Sequence, residues 1–397
     1  MKIVFLAPFG IRPKGTVIAR MLPLAVELQN IGYIVTIIAP PYTNPEDSGK
    51  VEVVRGVRLE NVALPIGGKG LGALTIAWRM FRAAQAEEPD LVHLFKPKGY
   101  GGLAAMLLIS LRRFGIRVPQ LFVDTDDWEG RGGMNELQSY SSMEKHLFAF
   151  QEQWLSRHAV GMTVASLELN RLTQGLGVSS NHILYLPNCV ENTLNGDGSR
   201  IRQKLGFLPD TPVLLLYTRF FEFSQNRLHR VLALIHQRVP DVQFLVVGKG
   251  RQGEEVNLVA ASRQLGFAHA LTMAGWVEPA EIPDYLAAAD VAIYPFDDTL
   301  VNRAKCPAKL TEIIRAGVPV VADEVGQAAE YIEHGVSGML CNPAEPEQMA
   351  EHSVNLFKNP EKRTRFSLEG IRYVYTRFNW HSAADKLDTF YRSITSL

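Results

Sequence analysis

Short apolar runs recur along the whole chain and are separated by segments of helical period: KIVFLA, YIVTIIAP, DLVHLF, QLFVDT, AVGMTVAS and HILYLPN in the first half, then PVLLLYTR, VQFLVVGKG, ALTMAGW, VAIYPF and GVPVVA. Strands apolar on both sides and alternating with helices belong to parallel sheets covered on both faces. The fold class is therefore α/β. At 397 residues the chain exceeds what one core organises, so two domains are expected. The stretch PNCVENTLNGDGSR, residues 187–200, has a linker's composition, which places the domains at 1–195 and 196–377. A last helix near 378–397 is expected to pack back on the first domain. Each half reads as a doubly wound, Rossmann-like unit, and such sheets bind ligands at the carboxyl ends of their strands, so two of them facing each other make a cleft.

Lys+Arg and Asp+Glu both number 41, which argues against nucleic acid as partner. The cysteines Cys189, Cys306 and Cys341 lack the spacing of a zinc site, and neither a metal nor a disulfide is expected. The apolar run GGLAAMLLISL is too short to cross a bilayer, and MKIVFLAPFG suits a buried strand better than a signal peptide. A cytoplasmic protein is expected. Helices with arginines at their ends, LGALTIAWRMFRAA and LAAMLLISLRRFG, suit either core packing with capping cations or rest on anionic lipid at the inner face of the membrane.

The stretch CPAKLTEIIRAGVPVVADEVG, Cys306 to Gly326, reads as a bounded helix followed by a strand. Pro307 suits its first position and Gly317 its end. Leu310, Ile313 and Ile314 form an apolar face, with Lys309, Glu312 and Arg315 on the neighbouring stripe. That stripe is either a solvated charged face or part of an anion pocket. Lys305, Lys309 and the helix N-terminus supply positive potential, and Glu312 accepts hydrogen bonds from sugar hydroxyls.

This segment resembles the donor site of the retaining GT-B glycosyltransferases, in particular glycosyltransferase family 4. LPN, LLYTRF, FLVVGKG, MAGWVEPAEIPDYLAAADVAIYP and GVSGMLCNPAEPEQMA extend the resemblance over nearly the whole chain. It implies a nucleoside diphosphate sugar as donor in the C-terminal domain, no separate cofactor, and a glycan, lipid-linked or small-molecule acceptor against the N-terminal one. Glu312 corresponds to the second Glu of the family's paired motif, the ribose clamp; the first falls at Ala304. Arg219, after Thr218, corresponds to the Arg aimed at the diphosphate, while the Lys expected five residues later is Ser224. Arg227 or Lys309 is expected to replace it. Gly248 and Gly250 let the backbone approach the nucleotide, and Trp276 lies by the base, either as stacking partner or in the core.

In the first half, Gly10 and Gly15 bracket a loop carrying Arg12 and Lys14, suited to phosphate or acceptor contact. In FVDTDDWEGRGG, Asp126 stands between Asp124 and Asp127 near the position where the family shows a His; it is expected to take a proton from the acceptor or steady positive charge on the sugar, against the alternative of a capped helix start. His93, with Lys96 and Lys98, either lines the acceptor site or is structural. The expected reaction is metal-independent sugar transfer with retention, with Asp126, Arg219 and Lys309 as the catalytic set. An epimerase or hydrolase of the same fold, and a non-catalytic sugar-nucleotide or glycan binding protein, stay open.

Overall fold

The computed structural model describes residues 1–12, 15–65, 69–191 and 194–395. The chain divides into two compact units, the first comprising Met1–Cys189, Ala304–Cys306 and Phe378–Leu397, the second Val190–Arg303 and Pro307–Arg377.

In the first unit the strands are β1 (Lys2–Leu6), β2 (Ile34–Ala39), β3 (Val51–Val54), β4 (Val57–Asn61), β5 (Leu91–Phe95), β6 (Gln120–Thr125), β7 (Gly161–Val164) and β8 (Ile183–Tyr185). They form one sheet in the order β3-β4-β2-β1-β5-β6-β7-β8. The sheet is not wholly parallel as the apolar runs suggest: β3 and β4 are an antiparallel hairpin at the edge, closed by Arg55 and Gly56 at positive φ. The residues of β3 alternate between exposed and half-buried and those of β4 between buried and more exposed, so they lack the continuous apolar run of an interior strand. In the second unit β9 (Val213–Tyr217), β10 (Gln243–Val247), β11 (Leu271–Gly275), β12 (Val291–Tyr294), β13 (Val320–Asp323) and β14 (Met339–Cys341) take the order β11-β10-β9-β12-β13-β14, every pair parallel.

Two points in these orders matter for function. In the first sheet the chain leaves β1 toward β2 on one side and β5 toward β6 on the other; in the second it leaves β9 toward β10 and β12 toward β13. Ligands of doubly wound sheets bind at such reversals, outside the carboxyl ends of the strands.

The interior of the first unit carries a polar network. Arg20, fully buried on a one-turn π-helix, Val17–Met21, grips Asp124 with two hydrogen bonds of 2.8 and 2.6 Å and also donates to Asn188 and the Leu186 carbonyl. Thr163 donates to Asp124 at 2.5 Å, which commits its only proton. The His93 ring therefore carries its proton on Nε2, donating to Thr163 Oγ1 at 3.2 Å, and accepts at Nδ1 from the Tyr391 hydroxyl at 2.5 Å. Tyr391 belongs to the last helix, Trp380–Thr395, which buries Trp380, Leu387 and Tyr391 in the same core as β1 and β2. Of the two sequence readings of His93, the structural one holds: it is wholly buried.

Burial depresses the His93 imidazole from its ordinary 6.5 to about 4, with the Asp124 charge opposing the shift only in part. The unfolded chain then binds a proton between those values that the folded chain refuses, so stability is complete above pH 6.5 and falls as the pH drops toward 4, by about 3 kcal/mol. Urea titrations at pH 7 and pH 4.5 on the native protein and on His93→Gln measure this; equal pH slopes in the two proteins exclude it.

Candidate functional site

At the β9/β12 reversal the second unit gathers the residues on which the sequence argument turned. The helix Ala308–Arg315 starts one residue later than expected, with Pro307 at the N-cap, and ends at Ala316 with Gly317 at φ +73°. Leu310, Ile313 and Ile314 are buried, so the apolar face turns inward and fixes the stripe bearing Lys309 and Glu312. Lys309 Nζ lies 3.2 Å from the centroid of the Tyr217 ring, a cation–π contact. Burial is the main cause that lifts the Tyr217 phenol, and its hydrogen bond to Glu312 adds to the rise. Tyr217 thus ties Lys309 and Glu312 to the carboxyl end of β9. No motif pointed to it; its place at the end of the first strand of the domain is the signal that was there to be read.

After β9 the chain makes a strained turn. Phe220, buried, sits at φ +68°, a conformation costly for a side chain of its size and found where the surrounding structure demands it. The Thr218 hydroxyl accepts from the Phe220 N–H at 2.9 Å. Thr218 is buried, so it holds the turn rather than offering a contact. Arg219 is partly exposed and lies 3.4 Å from Glu222. Arg227, one of two residues expected to replace the missing Lys, points elsewhere: it pairs with Asp323 at 2.7 Å and Asp297 at 3.0 Å. Asp323 is pushed up to about 6 by burial, against the pull of Arg227.

Gly248 meets its requirement strictly. At φ +124° a Cβ there lies 1.9 Å from the Thr218 carbonyl oxygen, so only glycine lets β9 and β10 end this close. The Gly250 N–H, expected to face a nucleotide, instead donates to Glu255 at 3.1 Å, and the Gln252 N–H to Glu254 at 2.8 Å. The two acids that begin the next helix fold back over the loop because its amides need acceptors. Trp276 is 64% exposed, which removes it from the core and leaves its face open to a base.

At the β1/β5 reversal of the first unit, the sequence's run of carboxylates is split by direction. Asp124 points inward to Arg20, while Lys96, buried and at φ +58°, joins Asp126 at 2.8 Å and Asp127 at 2.5 Å. Lys98 pairs with Glu129 at 2.8 Å. Burial pushes the Asp126 carboxyl up, with Lys96 opposing, so it holds a proton better than an exposed aspartate. Thr16 donates to Asp126 at 3.4 Å, which brings Gly15 and its neighbours to the same place. The Gly15 carbonyl accepts from Ala19 and opens the helical turn. Arg12 is held by Asp47 and Glu52, so its charge is matched within its own unit. Lys14 lies outside the described residues. Ala304, at the place of the family's first Glu, is buried, and its carbonyl accepts from Ser166 at 2.9 Å.

Two family models match in succession. Glycosyl transferases group 1 matches residues 197–373 and Glycosyl transferase 4-like domain residues 15–189. The chain belongs to the GT-B glycosyltransferases of family 4. As for individual members of this family, the chain is 28% identical over 211 residues to a D-inositol 3-phosphate glycosyltransferase 2 of Catenulispora acidiphila, covering 51% of this chain and 48% of that one. It is 26% identical over 238 residues to the GDP-mannose-dependent alpha-(1-6)-phosphatidylinositol monomannoside mannosyltransferase of Mycobacterium tuberculosis, covering 58% and 60%. It thus spans about half the length of these curated relatives. Among solved GT-B structures, HepE of Anabaena in complex with UDP and glucose superposes with a TM-score of 0.74 at 20% identity, over the whole of both chains.

Proposed function

We propose that this protein transfers a sugar from a nucleoside diphosphate sugar to an acceptor hydroxyl, with retention at the anomeric carbon and without a metal ion. The observation that carries the reading is the joining of Lys309 and Glu312 on Tyr217 at the β9/β12 reversal, with Arg219 two residues further along and near enough for its charge to act on the Tyr217 phenol. Glu312 binds the ribose hydroxyls, and the exposed face of Trp276 takes the base. The bond from the anomeric carbon to the diphosphate oxygen breaks with its electron pair going to the diphosphate, where Arg219, Lys309 and the helix N-terminus at Ala308 receive the charge. The acceptor oxygen bonds to the same face of the sugar, and its proton passes to the departing diphosphate. In the first unit Lys96 and Asp126, paired at 2.8 Å, orient the acceptor.

UDP and GDP donors are the first to test, since HepE is complexed with UDP and the mycobacterial relative is GDP-mannose-dependent. A thermal-shift screen of the native protein and Glu312→Ala against UDP, GDP, ADP and TDP and their sugars identifies the donor, because a ligand of the native state raises its melting temperature. One nucleotide raises the melting temperature of the native protein by several degrees and leaves Glu312→Ala unmoved. The anomeric configuration of the product, made with and without EDTA, then decides retention and metal dependence. If no nucleotide shifts the native protein, the proposal fails; donor turnover of equal rate without any acceptor replaces it with a hydrolase or epimerase.

We also assign the protein to the cytoplasmic face of the membrane. Among the described residues no helix is long and apolar enough to cross a bilayer. The helices at 69–86, 99–113 and 142–158 cover one face of the first sheet, and outside them stand Trp78, Phe114, Met143 and Phe150, all exposed, with Arg82, Arg112, Arg113 and Arg117 exposed as well. Apolar side chains among cations suit an anionic lipid surface. The protein is expected to co-sediment with phosphatidylglycerol vesicles and not with phosphatidylcholine vesicles; equal retention by both sinks the assignment.

A further inference from the structure

Away from the carboxyl ends of its strands, the second unit brings together two histidines that sugar transfer does not use. His236 stands in the last turn of the helix Gln225–Arg238, and His269 in the short helical turn Ala268–Ala270. The helix leads into β10 and the turn into β11, so both residues lie at the amino ends of the strands, on the edge of the sheet opposite to Arg219 and Lys309. Their Nε2 atoms are 3.3 Å apart, and the ring centroids 5.0 Å apart with the planes at 71°. We propose that this pair chelates one divalent transition-metal ion, of which zinc is the type, through Nε2 of His236 and Nε2 of His269. An ion there stands apart from the transfer chemistry and staples the helix to the turn before β11.

The geometry is that of a chelate. Two imidazole nitrogens bound to one tetrahedral zinc stand about 3.3 Å apart, the separation of this pair. The centroids are closer than two rings joined by a straight N–H···N bond of that length allow, so the rings are bent off the line between the nitrogens, as two ligands of one ion must be. Both ligands are seated on the core. Ile235 beside His236 is buried, as are Phe267 and Ala270 on either side of His269; the His236 ring packs on Phe267 with centroids 6.3 Å apart, and the Ala270 N–H donates to the Phe267 carbonyl at 3.0 Å. Little ordering is left for the ion to impose. Burial, helped by His269, holds the His236 imidazole below its ordinary 6.5, so near pH 7 it is neutral, the form that ligates. Without metal one Nε2–H donates to the other Nε2; on binding that proton moves to Nδ1 of its own ring, and both Nε2 lone pairs go to the ion. Imidazole nitrogen suits zinc, copper and nickel, whereas magnesium and calcium take oxygen.

Calorimetric titration with zinc chloride and with magnesium chloride, in a buffer that does not bind metal, tests the assignment on the native protein, His236→Gln and His269→Ala. His269 is exposed, so His269→Ala is expected to melt like the native protein without metal, and it carries the test by itself if His236→Gln folds poorly. The native protein is expected to bind one zinc ion per chain at micromolar concentration, and each variant about thirtyfold more weakly, since each keeps only one of the two ligands. Magnesium is expected to give no binding. Zinc affinity of His269→Ala within about threefold of native overturns the assignment, as does a native protein that takes up no zinc at about 1 mM. Magnesium binding as tight as zinc binding overturns it too, because it marks an oxygen site. One zinc ion per two chains also overturns it, since it marks a bridge between copies. None of these outcomes depends on turnover of a donor.

Discussion

Arg20→Met is expected to destabilise the first unit by about 3–5 kcal/mol, the usual cost of leaving a buried charge without its partner, and to lower its melting temperature by roughly 10 °C. The side chains of Arg20 and Asp124 are 1% and 0% exposed, and removing the guanidinium strands a carboxylate that Thr163 alone cannot satisfy. The damage should spread along the chain of contacts, because Thr163 connects Asp124 to His93 and His93 to Tyr391. Hydrogen exchange of the helix Trp380–Thr395 is therefore expected to rise with the loss of stability. Restoring neutrality with Arg20→Met and Asp124→Leu together should recover more than half of the loss, since an apolar pair of similar volume replaces a buried ion pair at little cost. A single variant that unfolds within 1 kcal/mol of native refutes the account.

Arg219→Ala is expected to lower kcat by about 10²–10³-fold, as the loss of one group aimed at charge that develops in the transition state usually does. Glu312→Ala, in contrast, removes the contact that we propose to the ribose, which is the same in ground and transition states. It should raise the donor KM with a much smaller change in kcat. The contrast between these variants is the informative quantity. If Arg219→Ala changes KM alone, the Arg binds the nucleotide without assisting departure, and the catalytic role passes to Lys309.

The eleven apolar runs all became strands: nine are largely buried, and burial on both faces leaves an unmistakable apolar signature, while β8 and β11, at sheet edges, are half-buried. Missed were the hairpin β3–β4, whose alternation is that of an exposed edge, and β14, only three residues long. The helix with Glu312 was legible because its caps and its apolar face agree. Residues whose meaning depends on direction were not: Asp124 lies in β6 and Asp126 in the bend that follows it, so one faces Arg20 and the other Lys96. Pairing partners far along the chain were equally hidden. Nothing in the sequence near Arg227 reveals Asp323, and nothing near Gly250 reveals that Glu255 folds back onto it. The positive φ of Lys96 and Phe220 left no trace either, since side-chain identity signals that conformation only when glycine or asparagine adopts it.

The first unit is closed by residues that follow the second unit in sequence: His93 finds its hydroxyl partner 298 positions later, in Tyr391. During synthesis this core can be completed only once Tyr391 has been made, whereas the intervening unit, Val190–Arg303 with Pro307–Arg377, has all of its strands in hand sooner. The usual amino-terminal-first order of domain maturation is therefore expected to be reversed, and a product ending before the helix Trp380–Thr395 is expected to carry an open first unit and a folded second one.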